Sequence, residues 1–476
     1  MRKPLYMPEA AILPGPLSHP MDVSYSRLIR MGRVVSIVLS AALIAVLMAA
    51  AILAVQARAQ EQIHSTDLEK FSGVYELSPK QFVYIQPWPG DETKLAYSDE
   101  AGQLRALIPV AESIFSAGPG LLLFTPTELQ ITFIQNSEGK VTRLIREQNG
   151  FPDRSARRLA AYQREMVSFR NGEISLEGIL FAPSGKGVHP AMVLIHGTGA
   201  GDRNTVLPIV HFLVRHGIAL LSYDKRGVGG STGDWHTVSL EELAGDALAA
   251  VKFLQSRKEI DSNKIGVFGV SQGGWVAPLA ASQSTDIAFV ISVSGPAMSP
   301  AEVESGRLAH NLHARGFSEN AVQEALALRK LLDQVARGKL SWEEFQAAAA
   351  KSRKTKWFPL AHVPPTADSW LFEHWRRLPL DYAPGPVIAK LHVPVLALFG
   401  GLDHTVLPDQ NAEKWRVALE EGEVADYTIK IFPSGNHMLL EARTGTQEEY
   451  PTLKRFVPGY EPMLLDWLRE RTILAR

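Results

Sequence analysis

The stretch KIGVFGVSQGGW, Lys264–Trp275, decides how the rest of the chain is read. Ile265, Val267 and Phe268 make an apolar run that reads as a short buried strand. The glycine pair after Ser271, followed by WVAPLAA, reads as a helix start. Ser271 then stands on a sharp strand-to-helix turn. Gly269-Val270-Ser271-Gln272-Gly273 fits G-x-S-x-G. In that pattern a nucleophile on a strained turn projects its oxygen clear of the backbone, and small neighbours two positions away let strand and helix pass closely. The helix N-terminus behind it offers free N–H groups to a developing oxyanion.

Around this turn, apolar runs recur, mostly ending in glycine: AMVLIHG, IALLSYDKRG, IAFVISVSG, VPVLALFGG and YTIKIFPSG. Helical patterns such as VSLEELAGDALAAVKFLQSR lie between several of them. Near-continuous apolar strands alternating with helices imply an α/β domain, its mostly parallel sheet covered on both faces. Ahead of it, MVSFRNGEISLEGILFAP reads as a hairpin turning at Asn171-Gly172. The alternation stops between Pro300 and about Pro386, in a helical stretch carrying Trp342, Trp357, Trp370 and Trp375. It reads as a cap inserted above the sheet's carboxyl edge. Its tryptophans hint at an apolar acyl pocket, although at helical spacing they are more often core. The predicted catalytic domain spans 160–476, with the cap at about 300–386.

Upstream, from about Thr66 to Ile145, the texture is FSGVYELS, QFVYIQPW, TKLAYSDE, GQLRALIPV, SIFSAG and LQITFIQN, bounded by Gly, Pro, Asn and Asp. This predicts a small antiparallel β domain over residues 61–150. EQNGFPDRSARR, Glu147–Arg158, reads as a polar connection or short helix.

The 476-residue chain is 46% hydrophobic and 21% charged with net charge −1, so neither its charge nor any basic run points to nucleic acid. It has no cysteine, which excludes disulfides, thiolate nucleophiles and Cys-ligated zinc. Residues 34–55, VVSIVLSAALIAVLMAAAILAV, carry no charge and are long enough to span a bilayer. Arg30 and Arg33 precede them, and ARAQ follows with Ala57 and Ala59 in the A-x-A arrangement of a cleavage site. Residues 1–60 therefore read either as a cleaved export signal or as an uncleaved anchor. Both place everything after Gln60 outside the cytoplasmic membrane, periplasmic, extracellular or tethered. Met21 and Met31 are alternative starts, MGRVVS making a good positive leader.

A serine hydroxyl needs a base, and the base needs a third group to fix its tautomer. VPVLALFGGLDHTVLP puts Asp403 just past one buried strand, and YTIKIFPSGNHMLL puts His437 just past the next. Both land on the same sheet edge as Ser271, where open α/β sheets bind ligands. His404 is a rival base, but it directly follows the acid. The oxyanion calls for two backbone donors. The N–H of Gln272 is one, and the N–H of Thr198 in VLIHGTGAGDRN is the other. GTGAG lacks the ribose-binding acid of a dinucleotide loop at the required distance. In YDKRGVGGSTGDW, Asp224 and Arg226 read as loop braces. His211 and His216 read as core or surface positions. His310, His313, His362 and His374 show no metal-binding spacing, so no metal and no cofactor are expected.

Taken together, HGTGAGDR, YDKRGVGGSTG, GVSQGGW and the pair GGLDHTVLP with SGNHMLL make the chain resemble the α/β-hydrolase superfamily over about Met166 to Arg476. The wording is similar to bacterial serine esterases, a group that also includes proteins described as acyl-CoA thioester hydrolase-like or prolyl-oligopeptidase-like. The resemblance implies Ser271 as nucleophile, Asp403 as acid, His437 as base and a helical cap at 300–386. Thr198 stands where many relatives carry serine, and either residue offers the same N–H. The implied activity is hydrolysis of small acyl esters through an acyl-enzyme. A peptidase or thioesterase would use the same triad, but the β segment is too short for a β-propeller gate and export removes CoA thioesters. A non-catalytic binding protein on this scaffold would be expected to lack a triad member.

Overall fold

The computed structural model describes residues 68–474, apart from residues 90, 206–208, 378 and 472. Residues 1–60, including the export or anchor segment 34–55, lie outside the described residues. Among the described residues no helix is long and apolar enough to cross a membrane.

The upstream strands are Gly73–Ser78 (β1), Gln81–Trp88 (β2), Asp91–Asp99 (β3), Leu104–Ala111 (β4), Ile114–Ala117 (β5), Leu129–Gln135 (β6), Val141–Gln148 (β7) and Arg154–Leu159 (β8). They close into an antiparallel barrel in chain order. Closure is made by β8 pairing with β1, with Tyr75 opposite Arg158. Thus Glu147–Arg158, expected to be a connection or short helix, supplies the end of β7 and most of the closing strand. The β module accordingly runs past residue 150. An eight-stranded barrel can be narrow enough for side chains alone to fill. Tyr75, Ile85, Tyr97, Leu107, Phe115 and Leu144 fill it. Phe71, from the short turn Glu69–Phe71, adds its ring 4.4 Å from Phe133.

The second sheet contains Tyr162–Asn171 (β9), Ile174–Pro183 (β10), His189–Ile195 (β11), Ala219–Tyr223 (β12), Ile260–Val270 (β13), Phe289–Val293 (β14), Val395–Gly400 (β15) and Tyr427–Phe432 (β16). Their order is β16-β15-β14-β13-β11-β12-β10-β9, with only β10 running against the rest. The hairpin pairs Asn171 with Ile174, so its turn is Gly172-Glu173, one residue later than expected. β12, β14 and β15 are buried throughout, and β11 and β13 over their carboxyl halves apart from Val270, because helices cover both faces. The helix Leu240–Gln255 begins at a capping box made by Ser239 and Glu242.

After β14 the chain leaves the sheet for the helices Pro300–Ala314, Glu319–Ala336, Trp342–Ala349 and Trp370–Arg377. These form a separate small core of Leu308, Leu312, Val322, Leu332, Phe345 and Trp357. Trp342 packs against Phe345 and Phe372. Both tryptophans therefore serve the core of the cap.

The barrel is joined to the sheet domain. Val74, Tyr84, Leu104 and Leu121 share one apolar cluster with Leu464, Leu468 and Phe456. The segment 451–456 is strapped to it by backbone bonds. Leu104 donates to the Lys454 carbonyl (2.9 Å), Leu121 to Leu453 (2.6 Å), and Phe456 to Gly102 (2.9 Å). At this junction Glu461 is buried in the helix Tyr460–Glu470. Burial, then the charges of Glu100 and Asp99, push its carboxyl up to about 8. Unfolded, it ionises near its ordinary 4.5. The folded state binds more protons between those values, so this group's contribution to stability falls as pH rises through that window. Glu461→Gln is expected to stabilise the protein by about 1–3 kcal/mol at pH 8 and by nothing measurable at pH 4.5. Urea midpoints of both proteins at the two pH values check this.

Candidate active site

Ser271 follows β13 and precedes the helix Gly273–Ser282, with φ at 54°. A non-glycine residue in the left-handed region is strained and needs its surroundings to hold it. The glycines on either side explain how the turn closes. A Cβ at Gly273 would stand 2.5 Å from the Ile195 carbonyl oxygen, and one at Gly269 would collide with the Gly273 carbonyl. Only hydrogen fits at either position.

The end of β14 ties this turn to the loop after β16. The Val293 carbonyl accepts from the Ser271 N–H at 3.0 Å. The next residue, Ser294, donates its hydroxyl to the His437 carbonyl at 2.8 Å. His437 Nδ1 meets Asp403 Oδ2 at 2.7 Å, and the Asp403 side chain is fully buried. The other carboxylate oxygen, Oδ1, accepts from the N–H groups of Thr405 (2.7 Å) and Val406 (2.9 Å). The acid is thus fixed by its own loop and presents one oxygen to the ring. Burial pulls His437 down, but the charge and hydrogen bond of Asp403 outweigh it and leave the imidazole above its ordinary 6.5. Nε2 is the ring nitrogen not engaged by Asp403.

His404, the rival base, packs its ring edge-on against His310 with centroids 4.5 Å apart. His211 is buried against Tyr162 and Phe181, and His216 Nδ1 bonds the Phe212 carbonyl. His313 pairs with Glu319, and the side chain of His374 lies outside the described residues. Among the described residues no group of three or more His, Asp or Glu side chains is placed to hold a metal ion.

Thr198 and Gln272 both line a cavity of about 360 Å³ beside Ser271. Its other walls include Trp275, Val303, Leu371, Val406 and the cap residues Glu304, Arg307 and His362. Arg307 bonds Glu304 at 2.5 Å. Burial, followed by the charge of Arg307, pulls His362 down, so the cap wall is polar without net charge.

The loop YDKRG behaves as bracing. Asp224 accepts from the Arg203 backbone (2.8 Å) and Gly230 N–H (3.0 Å), and the Arg203 guanidinium closes on the same carboxylate. Arg226 holds Asp246 through two bonds of 2.6 and 2.9 Å and reaches Glu242 at 2.9 Å. Asp246→Ala would take two of its four bonds from a buried guanidinium and leave half-exposed Glu242 as its remaining carboxylate partner. The expected loss is about 3–5 kcal/mol of stability, visible as a lower urea midpoint.

One residue of this loop was not singled out from sequence. Lys225 is buried, and its ammonium donates to the Gly197 carbonyl at 2.6 Å and to Gln272 Oε1 at 3.2 Å. Burial pulls it down to about 7. The available signal was its position, between two charges at the carboxyl edge of a parallel strand.

Comparison with known proteins adds four findings. A model of the alpha/beta hydrolase family matches residues 192–446. Esterase EstD of Thermotoga maritima is 28% identical over 341 residues, 69% of this chain and 74% of its own length. An uncharacterised Mycobacterium tuberculosis protein is 33% identical over 173 residues, covering 36% of this chain and 58% of its own. Among solved structures, an esterase of Pyrococcus furiosus superposes with a TM-score of 0.41 at 16% identity, over 65% of this chain and 91% of that one.

Proposed function

The chain belongs to the alpha/beta hydrolase family, and from that premise we propose that it is a serine carboxylesterase. The observation that carries this reading is the buried Asp403 carboxylate on His437 Nδ1 at 2.7 Å, tied through the end of β14 to the strained turn of Ser271. Its similarity to a protein named as an esterase supports the same substrate class.

In the proposed reaction, the carbonyl carbon of a small acyl ester docks above Ser271. His437 Nε2 takes the hydroxyl proton as Oγ attacks, and Asp403 stabilises the imidazolium that forms. The N–H groups of Thr198 and Gln272 hold the oxyanion. His437 then protonates the leaving alcohol, the C–O bond breaks, and the acyl group stays on Ser271. Water, activated by the same histidine, releases the acid and restores the serine. No residue of this cycle requires a cofactor.

The proposed location follows from the charge-free segment 34–55 with its flanking arginines and A-x-A site. The enzyme is exported, or anchored by that segment with the catalytic domain outside.

The test is a p-nitrophenyl ester series from acetate to palmitate on the purified chain, with a fluorophosphonate to label the nucleophile. Turnover with an optimum chain length, together with labelling at Ser271, is the expected result. Labelling without turnover of any ester would transfer the site to peptides or thioesters. The absence of both would overturn the reading.

A further inference from the structure

Lys225 sits beneath the loop that carries one oxyanion donor and beside the residue that carries the other, and the cycle above gives it no task. Its two charged neighbours in sequence are engaged elsewhere: Asp224 with Arg203, and Arg226 with Asp246. Lys225 alone turns to the Ser271 side, bonding the Gly197 carbonyl (2.6 Å) and the Gln272 side-chain oxygen (3.2 Å).

The Gly197 carbonyl and the Thr198 N–H belong to one peptide plane. In a trans peptide they point in opposite directions. Holding the carbonyl therefore fixes the direction of the N–H. Gly197 also stands against the nucleophile, since a Cβ there would lie 3.3 Å from Ser271 Cβ and 3.9 Å from its Oγ. A hydrogen bond donated to the carbonyl further polarises the peptide and makes its N–H a stronger donor. The second bond acts on Gln272, whose backbone N–H directly follows the nucleophile. One buried side chain thus grips both halves of the proposed oxyanion hole, across chain separations of 28 and 47 residues.

We propose that Lys225 is a positioning residue for the oxyanion hole, setting the Thr198 peptide through its carbonyl and Gln272 through its side chain. This rests on the serine-esterase reading. Lys225 touches no reacting atom. It acts through the two donors, so its removal affects the tetrahedral species and leaves ground-state ester binding alone.

The experiment compares wild type with Lys225→Met, which keeps length and removes the donors, and with Lys225→Arg, which keeps donors. Each is assayed for kcat and KM on the best p-nitrophenyl ester, for inhibition by a trifluoromethyl ketone that forms a tetrahedral adduct, and for fluorophosphonate labelling. For Lys225→Met, kcat is expected to fall about 10- to 100-fold, less than the loss of a donor outright. KM should stay within about twofold, and ketone affinity should fall by the same factor as kcat. Lys225→Arg should recover much of the loss. Gln272→Ala retains its backbone N–H and keeps the inference testable if Lys225→Met does not fold. It should lower kcat by about 3- to 10-fold, again with KM unchanged. Unchanged kcat in Lys225→Met, a rise in KM in place of the kcat loss, or a kcat loss without loss of ketone affinity would overturn the inference. If Lys225→Met does not fold, unchanged kcat in Gln272→Ala would do the same. Wild type separates the two claims. If it neither labels nor turns over esters, the esterase reading fails and takes this inference with it. If it does both while the variants match it, only the role of Lys225 falls.

Discussion

Ser271→Ala is expected to lower kcat by about 10⁵- to 10⁶-fold and to abolish fluorophosphonate labelling, with KM little changed. Alanine keeps the Cβ and removes only Oγ. It inherits the φ of 54° that the turn imposes and adds no volume between β13 and the following helix. The backbone bond from residue 271 to the Val293 carbonyl is indifferent to the side chain. The fold and the cavity of about 360 Å³ should therefore survive, and the loss should fall on chemistry. Some rate over water should remain, because the Thr198 and Gln272 N–H groups still face the bound carbonyl in the proposed mechanism. Groups that act as one unit are not additive. The double variant Ser271→Ala, His437→Ala should accordingly be no slower than Ser271→Ala by more than a few-fold. Multiplying losses would mean that the two residues work in separate steps. Stopped-flow detection of the p-nitrophenol burst in wild type, and its absence in the variant, provides the check.

How much of this was legible beforehand depended on what held each element in place. Ser271, Asp403 and His437 each follow an apolar run, and a parallel sheet puts the ends of all such runs on one edge. Local texture was enough to place all three on that edge. The helix Leu240–Gln255 was legible for a similar reason, since the helical pattern of VSLEELAGDALAAVKFLQSR lies in one local stretch. β8 was not. In RSARRL only Ala156 is buried and three residues are arginine. Nothing local distinguishes that composition from a linker, and its strand identity comes from pairing with β1 and β7. Tertiary context outweighs β propensity there. Lys225 escaped for a related reason. Its partners are a backbone carbonyl and an amide side chain far away in the chain, and a buried lysine runs against the usual expectation that lysines are exposed. Of the cap's tryptophans, Trp357 and Trp342 were legible as core formers and not as pocket walls, and both pack inside the cap; the side chains of Trp370 and Trp375 lie outside the described residues.

Asp403→Asn is expected to cost about 10⁴-fold in kcat with the fold intact. The surroundings of Asp403 dictate how asparagine would sit. Oδ1 accepts two N–H groups, from Thr405 and Val406. Only the amide oxygen can satisfy them, so the NH₂ must face His437. An NH₂ donates, and Nδ1 would have to accept. The ring proton then moves to Nε2, the nitrogen that must take the proton of Ser271. The base is present, correctly placed and in the wrong tautomer. The same exchange moves the pH profile. In wild type Asp403 holds His437 above 6.5 against its burial. Activity requires the neutral ring, so the acid limb of kcat/KM lies above pH 6.5 and the rate falls as pH drops through it. Without the carboxylate, burial alone acts, and the ring is charged only at lower pH. The limb should shift below 6.5 while the plateau falls by the full factor. A kcat/KM profile from pH 5 to 9 for both proteins measures the two effects together. A lowered plateau with an unmoved limb would mean that some other group titrates there, and that His437 is not the base.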